Sequence, residues 1–282
     1  MEPWTETYRG SVAPWECDVT EHFTIAYYFD RLAEAAANLA EALGLTEQLR
    51  AGGLPRRFDV RFARELRAGS AFHIESAPIA IDGELRLGHR FVDSVGGDTL
   101  TWVEEAWDPA AAIGAERREA IERALAAWDG PEVEKRVDPP GKTGFIATAR
   151  GRVAPADLDE FGHFGLAAFI HKFTDASVQA GAAIGLTADY IKTARRAFST
   201  FELGLRIAAR PRLGAPYLID TGLVHLGGSS LRFIHVMSDP RTGQELARLG
   251  QFGVQLDLDA RRPARLAEEL RARAAAVVVP AA

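Results

Sequence analysis

Two short stretches of this sequence carry an aspartate that is followed four residues later by a histidine and then a phenylalanine. They are "DVTEHF" (18–23), with Asp18 and His22, and "DEFGHF" (159–164), with Asp159 and His163. A carboxylate and an imidazole held close together can orient a water molecule and take a proton from it, which is general-base chemistry. An aspartate directly before a helix is also a common N-cap, and a histidine in a turn often has only a structural role.

Both stretches belong to an internal duplication, which favours the chemical interpretation. Residues 10–46 align with residues 151–187 without a gap, and thirteen of the 37 positions are identical. Weaker similarity continues in the same order, with "GSAFHIES" (69–76) matching "GAPYLIDT" (214–221). Between the halves, "DGPEVEKRVDPPGKTG" is rich in proline, glycine and charge, as linkers are. We predict a first unit over residues 1–128, a linker over 129–144 and a second unit over 145–282.

The same elements are predicted in both halves. A short strand leads into each Asp-His turn, and a helix of about five turns follows over 24–43 or 165–184, where apolar residues recur every three or four positions. Gly44 and Gly185 end these helices. Alternating apolar residues and turn signals then predict four antiparallel strands per half, arranged as a meander. The predicted strands are 57–67, 71–81, 84–94 and 99–107, and then 199–210, 216–226, 231–239 and 245–258. The fold class is α+β.

Composition argues against several classes of partner. The formal net charge is −6 and no long run has a single sign, so a nucleic-acid partner is not expected. No apolar run approaches the ~20 residues of a membrane span, and the first residues lack a secretory pattern. Cys17 is the only cysteine, so no internal disulfide forms, and we expect a cytoplasmic protein. The seven histidines do not cluster at metal-ligand spacing, and neither a metal nor a cofactor is expected.

A family resemblance covers the whole chain. A strand, a D-x-x-x-H turn, a long helix and four antiparallel strands resemble the hot-dog fold, and the turns resemble those of the 4-hydroxybenzoyl-CoA thioesterase-like acyl-CoA thioesterases. The matching stretches are "WECDVTEHFTIAYYF" and "ADLDEFGHFGLAAFI". The resemblance implies two tandem hot-dog units, each a central helix wrapped by a curled sheet, that form an intramolecular pseudo-dimer. A homo-oligomer of pseudo-dimers stays possible.

The resemblance also implies an activity, the hydrolysis of an acyl-CoA thioester to a free acid and coenzyme A. Asp159 and Asp18 would act as general base or nucleophile, and His163 and His22 would orient the acid, the water or the carbonyl. Amides at the helix starts would polarise the thioester oxygen. The residues expected to contact the substrate there are Thr24, Ile25, Gly165 and Leu166. Glu34 and Asp175, one on each helix, are further candidates, although a solvated helix face explains them equally well.

Two other functions stay open. The related enzymes often have asparagine two positions after the histidine, where this chain has Thr24 and Gly165, and a non-catalytic binder of acyl-CoA or another small ligand would tolerate that change. A hot-dog hydratase or dehydratase would need a similar acid and histidine. The halves are also predicted to be unequal. Gly162 and Gly165 give the second turn backbone freedom, whereas Glu21 adds a negative charge beside Asp18, so Asp159 and His163 should dominate hydrolysis.

Overall fold

The chain contains two compact units, Met1–Val133 and Glu134–Ala282. The computed structural model describes residues 3–50, 55–107, 113–132 and 136–279. Within these residues each unit has one long helix and an antiparallel sheet with five principal strands. The α+β class and the repeated architecture predicted from the sequence are confirmed.

In the first unit, the long helix α1 (Ile25–Ala42) follows strand β1 and its turn. The strands are β1 (Thr5–Ser11), β2 (Pro55–Phe62), β3 (Ala71–Ile81), β4 (Leu85–Asp93) and β5 (Thr99–Trp107). They lie in the order β1-β3-β4-β5-β2. Two shorter helices, α2 (Thr46–Arg50) and α3 (Ala115–Arg123), complete the unit.

The second unit repeats this plan. Its long helix, α4, spans Leu166–Ile184, and its shorter helices are α5 (Ala188–Ala194) and α6 (Glu268–Ala275). The strands are β6 (Ile146–Arg152), β7 (Arg196–Ile207), β8 (Pro216–Leu226), β9 (Ser230–Ser238), β10 (Glu245–Asp257) and the two-residue β11 (Arg262–Pro263). Their order is β6-β8-β9-β10-β7, and β11 pairs with β10.

The long helices form because their apolar residues share one face. Leu32, Ala35 and Leu39 of α1 are spaced by three and four residues, and all are buried. Alanine at the intervening buried positions lets the strands approach the helix axis closely. Helix α4 ends at Gly185, whose φ of 101° is the left-handed conformation that glycine adopts without strain. Both helices match their predicted ranges to within one residue at each end.

One detail of the predicted sheet is wrong. The first strand after each long helix joins the far edge of the meander, so Val60 of β2 pairs with Val103 of β5, and β7 pairs with β10. These strands also end earlier than predicted, at Phe62 and Ile207. The carbonyl of Leu100 accepts hydrogen bonds from both Ala63 and Arg64 (2.9 and 3.1 Å), and this irregularity turns the chain out of the sheet.

The second unit leaves its sheet in the same way, because the carbonyl of Leu246 accepts from Ala208 and Ala209 (2.9 Å each). The segments that follow, residues 63–70 and 208–215, are called here the return loops. Among the described residues, no helix is long and apolar enough to span a membrane.

Candidate functional site

Each Asp-His turn is closed by its own backbone. A single turn of 3-10 helix precedes it, at Pro14–Glu16 or Pro155–Asp157. The amide of Asp18 then donates to the carbonyl of His22 at 2.9 Å, and the amide of Asp159 donates to the carbonyl of His163 at 2.8 Å. The turn therefore brings each predicted aspartate and histidine to the same place, just before the long helix.

The aspartates stabilise these turns with one carboxylate oxygen. Asp159 Oδ1 accepts the backbone N–H groups of Phe161 (3.1 Å) and His163 (2.8 Å). Asp18 Oδ1 accepts the backbone N–H of Thr20 at 2.8 Å. These bonds form an Asx-type turn, so neither aspartate is the N-cap of the long helix. In both turns the second oxygen, Oδ2, stays outside this set of bonds.

The start of each long helix lies beside the carboxylate. The N-cap residues are Thr24 and Gly165, and neither helix has a side chain that caps its first amides. The first N–H groups of a helix have no intrahelical acceptor and carry partial positive charge. A β-carbon placed on Gly165 would lie 4.0 Å from Cβ of Asp159. The second turn therefore places Asp159 beside Gly165, which directly precedes Leu166. In the first unit the amide of Thr24 donates to the carbonyl of Glu16 at 2.9 Å, as the amide of Gly165 does to that of Asp157 at 2.8 Å, so Thr24 and Ile25 hold the equivalent positions.

The two histidines have different surroundings. His163 Nδ1 is buried, has no hydrogen-bond partner among the described residues, and lies 3.8 Å from Asp159 Oδ1, which is beyond hydrogen-bond distance. His22 Nε2 instead lies 2.9 Å from Oε2 of Glu65, a residue of the first return loop. Sequence reasoning did not identify Glu65. The glycines of the matching stretches "GSAFHIES" and "GAPYLIDT" could have aligned the loops and directed attention to it.

A partly buried ion pair connects each turn to its long helix. Glu16 accepts from Arg31 of α1 at 2.5 Å, and Asp157 accepts from Lys172 of α4 at 2.8 Å. The same carboxylates accept the backbone N–H groups of residues 13 and 154 (2.8 Å each). These pairs occupy equivalent positions in the duplication, and they hold the 3-10 turn against the long helix.

The two carboxylates predicted on the long helices, Glu34 and Asp175, are not part of the Asp-His turns. Glu34 is exposed and lies 3.5 Å from Arg31. Asp175 is exposed on α4. Both lie more than two helical turns beyond the helix start, where a solvated position explains them.

A cavity of about 550 Å³, wide open to solvent, lies beside the first turn. It is lined by Pro14, Cys17, Asp18, Glu21, Arg67 and Ala68. Arg67 forms an ion pair with Glu21 at its edge. Burial raises the pKa of the Cys17 thiol, so this cysteine stays protonated at neutral pH and is a poor nucleophile. Among the described residues, no group of side chains has the composition of a metal site.

Comparison with solved structures identifies the fold. A protein of Lactobacillus plantarum described as an oleoyl thioesterase aligns with a TM-score of 0.69 over 90% of this chain and 97% of its own, at 13% identity. An acyl-ACP thioesterase of Bacteroides thetaiotaomicron aligns with a TM-score of 0.68 over 89% and 98%, also at 13% identity. The 12:0-ACP thioesterase of Umbellularia californica aligns with a TM-score of 0.63 over 88% and 92%, at 15% identity. This chain has the tandem hot-dog fold.

The second half of this tandem hot-dog chain also matches a known protein family in sequence. Residues 153–274 match the model of the thioesterase-like superfamily. The match begins directly after β6 and includes Asp159, His163 and all of α4. None of the curated proteins matches the chain. The resemblance drawn from the sequence is confirmed, and the match supports hydrolysis of thioesters as the enzyme class.

Proposed function

We propose that the chain is an acyl-thioester hydrolase and that its second Asp-His turn carries out the reaction. The observation that carries this proposal is the position of Asp159, whose side chain lies beside Gly165, the N-cap of α4, within the segment that matches the thioesterase-like superfamily; this N-cap has no side chain to cap the helix. A carboxylate beside unpaired amides provides both a base and an anion-stabilising site.

In the proposed reaction, Asp159 Oδ2 takes a proton from a water molecule while the water oxygen bonds to the thioester carbonyl carbon. The backbone amides in the first helical turn of α4, which begins at Leu166, stabilise the oxyanion. The carbonyl re-forms as the carbon–sulfur bond breaks, and the proton passes from Asp159 to the leaving thiolate. His163 borders the same space and orients the water or the carbonyl. The products are a free acid and a thiol.

The proposed substrate is an acyl-CoA, and the first alternative is the same acyl group on a carrier protein. Both carry the thioester on a phosphopantetheine arm, so the chemistry at Asp159 is the same for the two. The carrier-protein alternative is prompted by the names of two tandem hot-dog structures, which are acyl-ACP thioesterases.

The test is release of free thiol from a panel of short, long and aromatic acyl-CoA esters and from acyl-carrier protein, followed with a thiol-detecting reagent. We expect turnover with at least one class, and about a 100-fold or greater loss of kcat in Asp159→Asn. Asparagine keeps an Oδ1 that can accept the N–H groups of Phe161 and His163, so this variant removes the charge and preserves the turn. Absence of thiol release from every substrate would contradict the proposal.

The cavity beside the first turn favours a second function for that half, namely binding of a small ligand without turnover. Its charged lining includes Asp18 and Glu21 as well as Arg67. Calorimetric titration of the Asp159→Asn protein with coenzyme A and with an acyl-CoA separates this function from catalysis. Binding that is abolished by Arg67→Ala and retained in Asp159→Asn supports a ligand site at the first turn.

A further inference from the structure

Arg210 and Glu65 occupy equivalent positions in the two return loops. The loops leave their sheets at matching double hydrogen bonds, on Leu100 and on Leu246. They also end at matching bonds, since Gly69 donates to the carbonyl of Val12 and Gly214 donates to that of Val153 (2.9 Å each). The first of the two amides that donate to one carbonyl is Ala63 in the first unit and Ala208 in the second. Two residues later the first unit has Glu65 and the second has Arg210.

Arg210 contacts two parts of the second turn. Its Nη1 donates to the carbonyl oxygen of Phe164 at 2.5 Å and lies 3.7 Å from Asp159 Oδ2. Phe164 stands between His163 and the N-cap Gly165, so this bond fixes the backbone that joins the turn to α4. The guanidinium also faces the carboxylate oxygen that the turn leaves outside its own hydrogen bonds.

The first unit connects its loop and turn differently. The amide of Phe23 donates to the carbonyl of Leu66 at 2.8 Å, and Glu65 contacts His22. In the part of the chain that the structure describes, no such backbone bond joins Phe164 to Pro211, which occupies the position of Leu66. A side-chain hydrogen bond from Arg210 thus connects loop and turn in the second unit, whereas a backbone hydrogen bond from Phe23 to Leu66 connects them in the first.

We infer that Arg210 is a positioning residue of the second turn, and that the opposite charge at Glu65 makes the two turns chemically unequal. This inference rests on the proposed function. Arg210 holds the Phe164 carbonyl and the Asp159 carboxylate in one arrangement, so that Oδ2 and the start of α4 face the same space. In the first turn, the equivalent side chain adds a carboxylate beside His22 and provides no cation for Asp18.

The test compares Arg210→Gln and Arg210→Lys with a matched control, Arg232→Gln. Arg232 lies on β9, outside the turn, pairs with Asp138, and has the same 11% side-chain exposure as Arg210. We expect Arg210→Gln to lower kcat about 10- to 100-fold with KM changed less than about threefold, because misplacement of a reacting group acts on the chemical step. Arg210→Lys should have a kcat several-fold higher than that of Arg210→Gln, since lysine keeps the positive charge and can still donate a hydrogen bond.

Amide hydrogen exchange supplies a readout that does not depend on activity. The His163 amide donates to Asp159 Oδ1 at 2.8 Å. Its exchange should be at least about tenfold faster in Arg210→Gln and unchanged in Arg232→Gln, while the His22 amide serves as an internal reference. In an active enzyme, an unchanged kcat in Arg210→Gln, or an equal loss in Arg232→Gln, overturns the inference. If no thioester is hydrolysed, the proposed function fails, and His163 exchange alone decides the role of Arg210.

Discussion

At the scale of single residues, the two turns share a backbone conformation despite different side chains. Gly162 has a φ of 79°, and Glu21, at the equivalent position, has a φ of 64°. The sequence predicts that Gly162 gives the second turn a backbone freedom that the first turn lacks. The first turn nevertheless adopts the same conformation with Glu21, which is strained there by about 1 kcal/mol. The difference between the turns therefore lies in side chains, with Glu65 in one and Arg210 in the other.

We predict that Gly162→Ala destabilises the protein by about 1 kcal/mol through the backbone alone. A β-carbon at this position would meet no atom within 4 Å, so no steric clash contributes. The left-handed φ is the only source of strain. Urea unfolding measures the change, with Gly141→Ala as the control, since Gly141 also has open space around it but no positive φ. Equal effects of the two substitutions would contradict this explanation.

At the scale of elements, a row of buried polar side chains crosses four strands in each unit. The rows are Thr7, Ser76, His89 and Glu105 in the first unit, and Thr148, Thr221, His235 and Gln251 in the second. The hydroxyl–hydroxyl and hydroxyl–imidazole distances are 2.7 Å in both. The rows differ at the end. Glu105 lies 3.1 Å from His89 and accepts from Trp107, whereas Gln251 lies 3.4 Å from His235.

We predict that Glu105→Ala destabilises the protein by about 3–5 kcal/mol, because it leaves His89 and the indole N–H of Trp107 buried without their partner. Glu105→Gln should be milder, below about 1.5 kcal/mol, since its side-chain amide can still form a hydrogen bond with the imidazole and accept one from the indole. The second unit already holds glutamine at this position. Urea unfolding at pH 7 measures both, and a larger loss for glutamine than for alanine would contradict the equivalence of the rows.

The second row predicts a dependence of stability on pH. Burial lowers the pKa of His235 to about 4, from an ordinary value of 6.5, so the folded protein keeps this imidazole neutral. Below pH 6.5 the unfolded chain binds a proton that the folded protein does not bind. The free energy of unfolding should therefore fall by about 3 kcal/mol between pH 6.5 and pH 4. Urea titrations of the unaltered protein and of His235→Gln measure it, and the variant should lack this part of the loss.

How far the sequence predicts these elements depends on where the deciding contact lies. The long helices and strands β3, β5 and β8 follow from local periodicity, and the structure gives them within a residue of the predicted ranges. The ends of β2 and β7 do not follow from it. Alternation continues through "RFARELR", but the chain leaves the sheet at Ala63 because of a double hydrogen bond on Leu100 of a distant strand. For the same reason the sequence does not point to Glu65 and Arg210, since the predicted strands 57–67 and 199–210 include them.

At the scale of the whole molecule, the duplication supplies two turns, and the proposed function divides their work. We predict that Asp159→Asn lowers kcat far more than Asp18→Asn does. The double variant should be no slower than Asp159→Asn alone, because a site that does not turn over contributes nothing further to lose. Thiol release by the three proteins measures this, with circular dichroism to confirm folding. A double variant that is much slower than Asp159→Asn alone would mean that the first turn also hydrolyses substrate, because two sites that work in parallel add their rates.

The return loops have a consequence for how such a protein changes over generations. Residues 65 and 210 lie just after their strands end, so a substitution there breaks no bond of the sheet ladder. One position can then hold a negatively charged residue in one copy and a positively charged residue in the other, while both copies keep their architecture. A duplicated chain with such positions can retain one working turn while the other acquires a new ligand, and a single exchange in a loop is enough to begin the divergence.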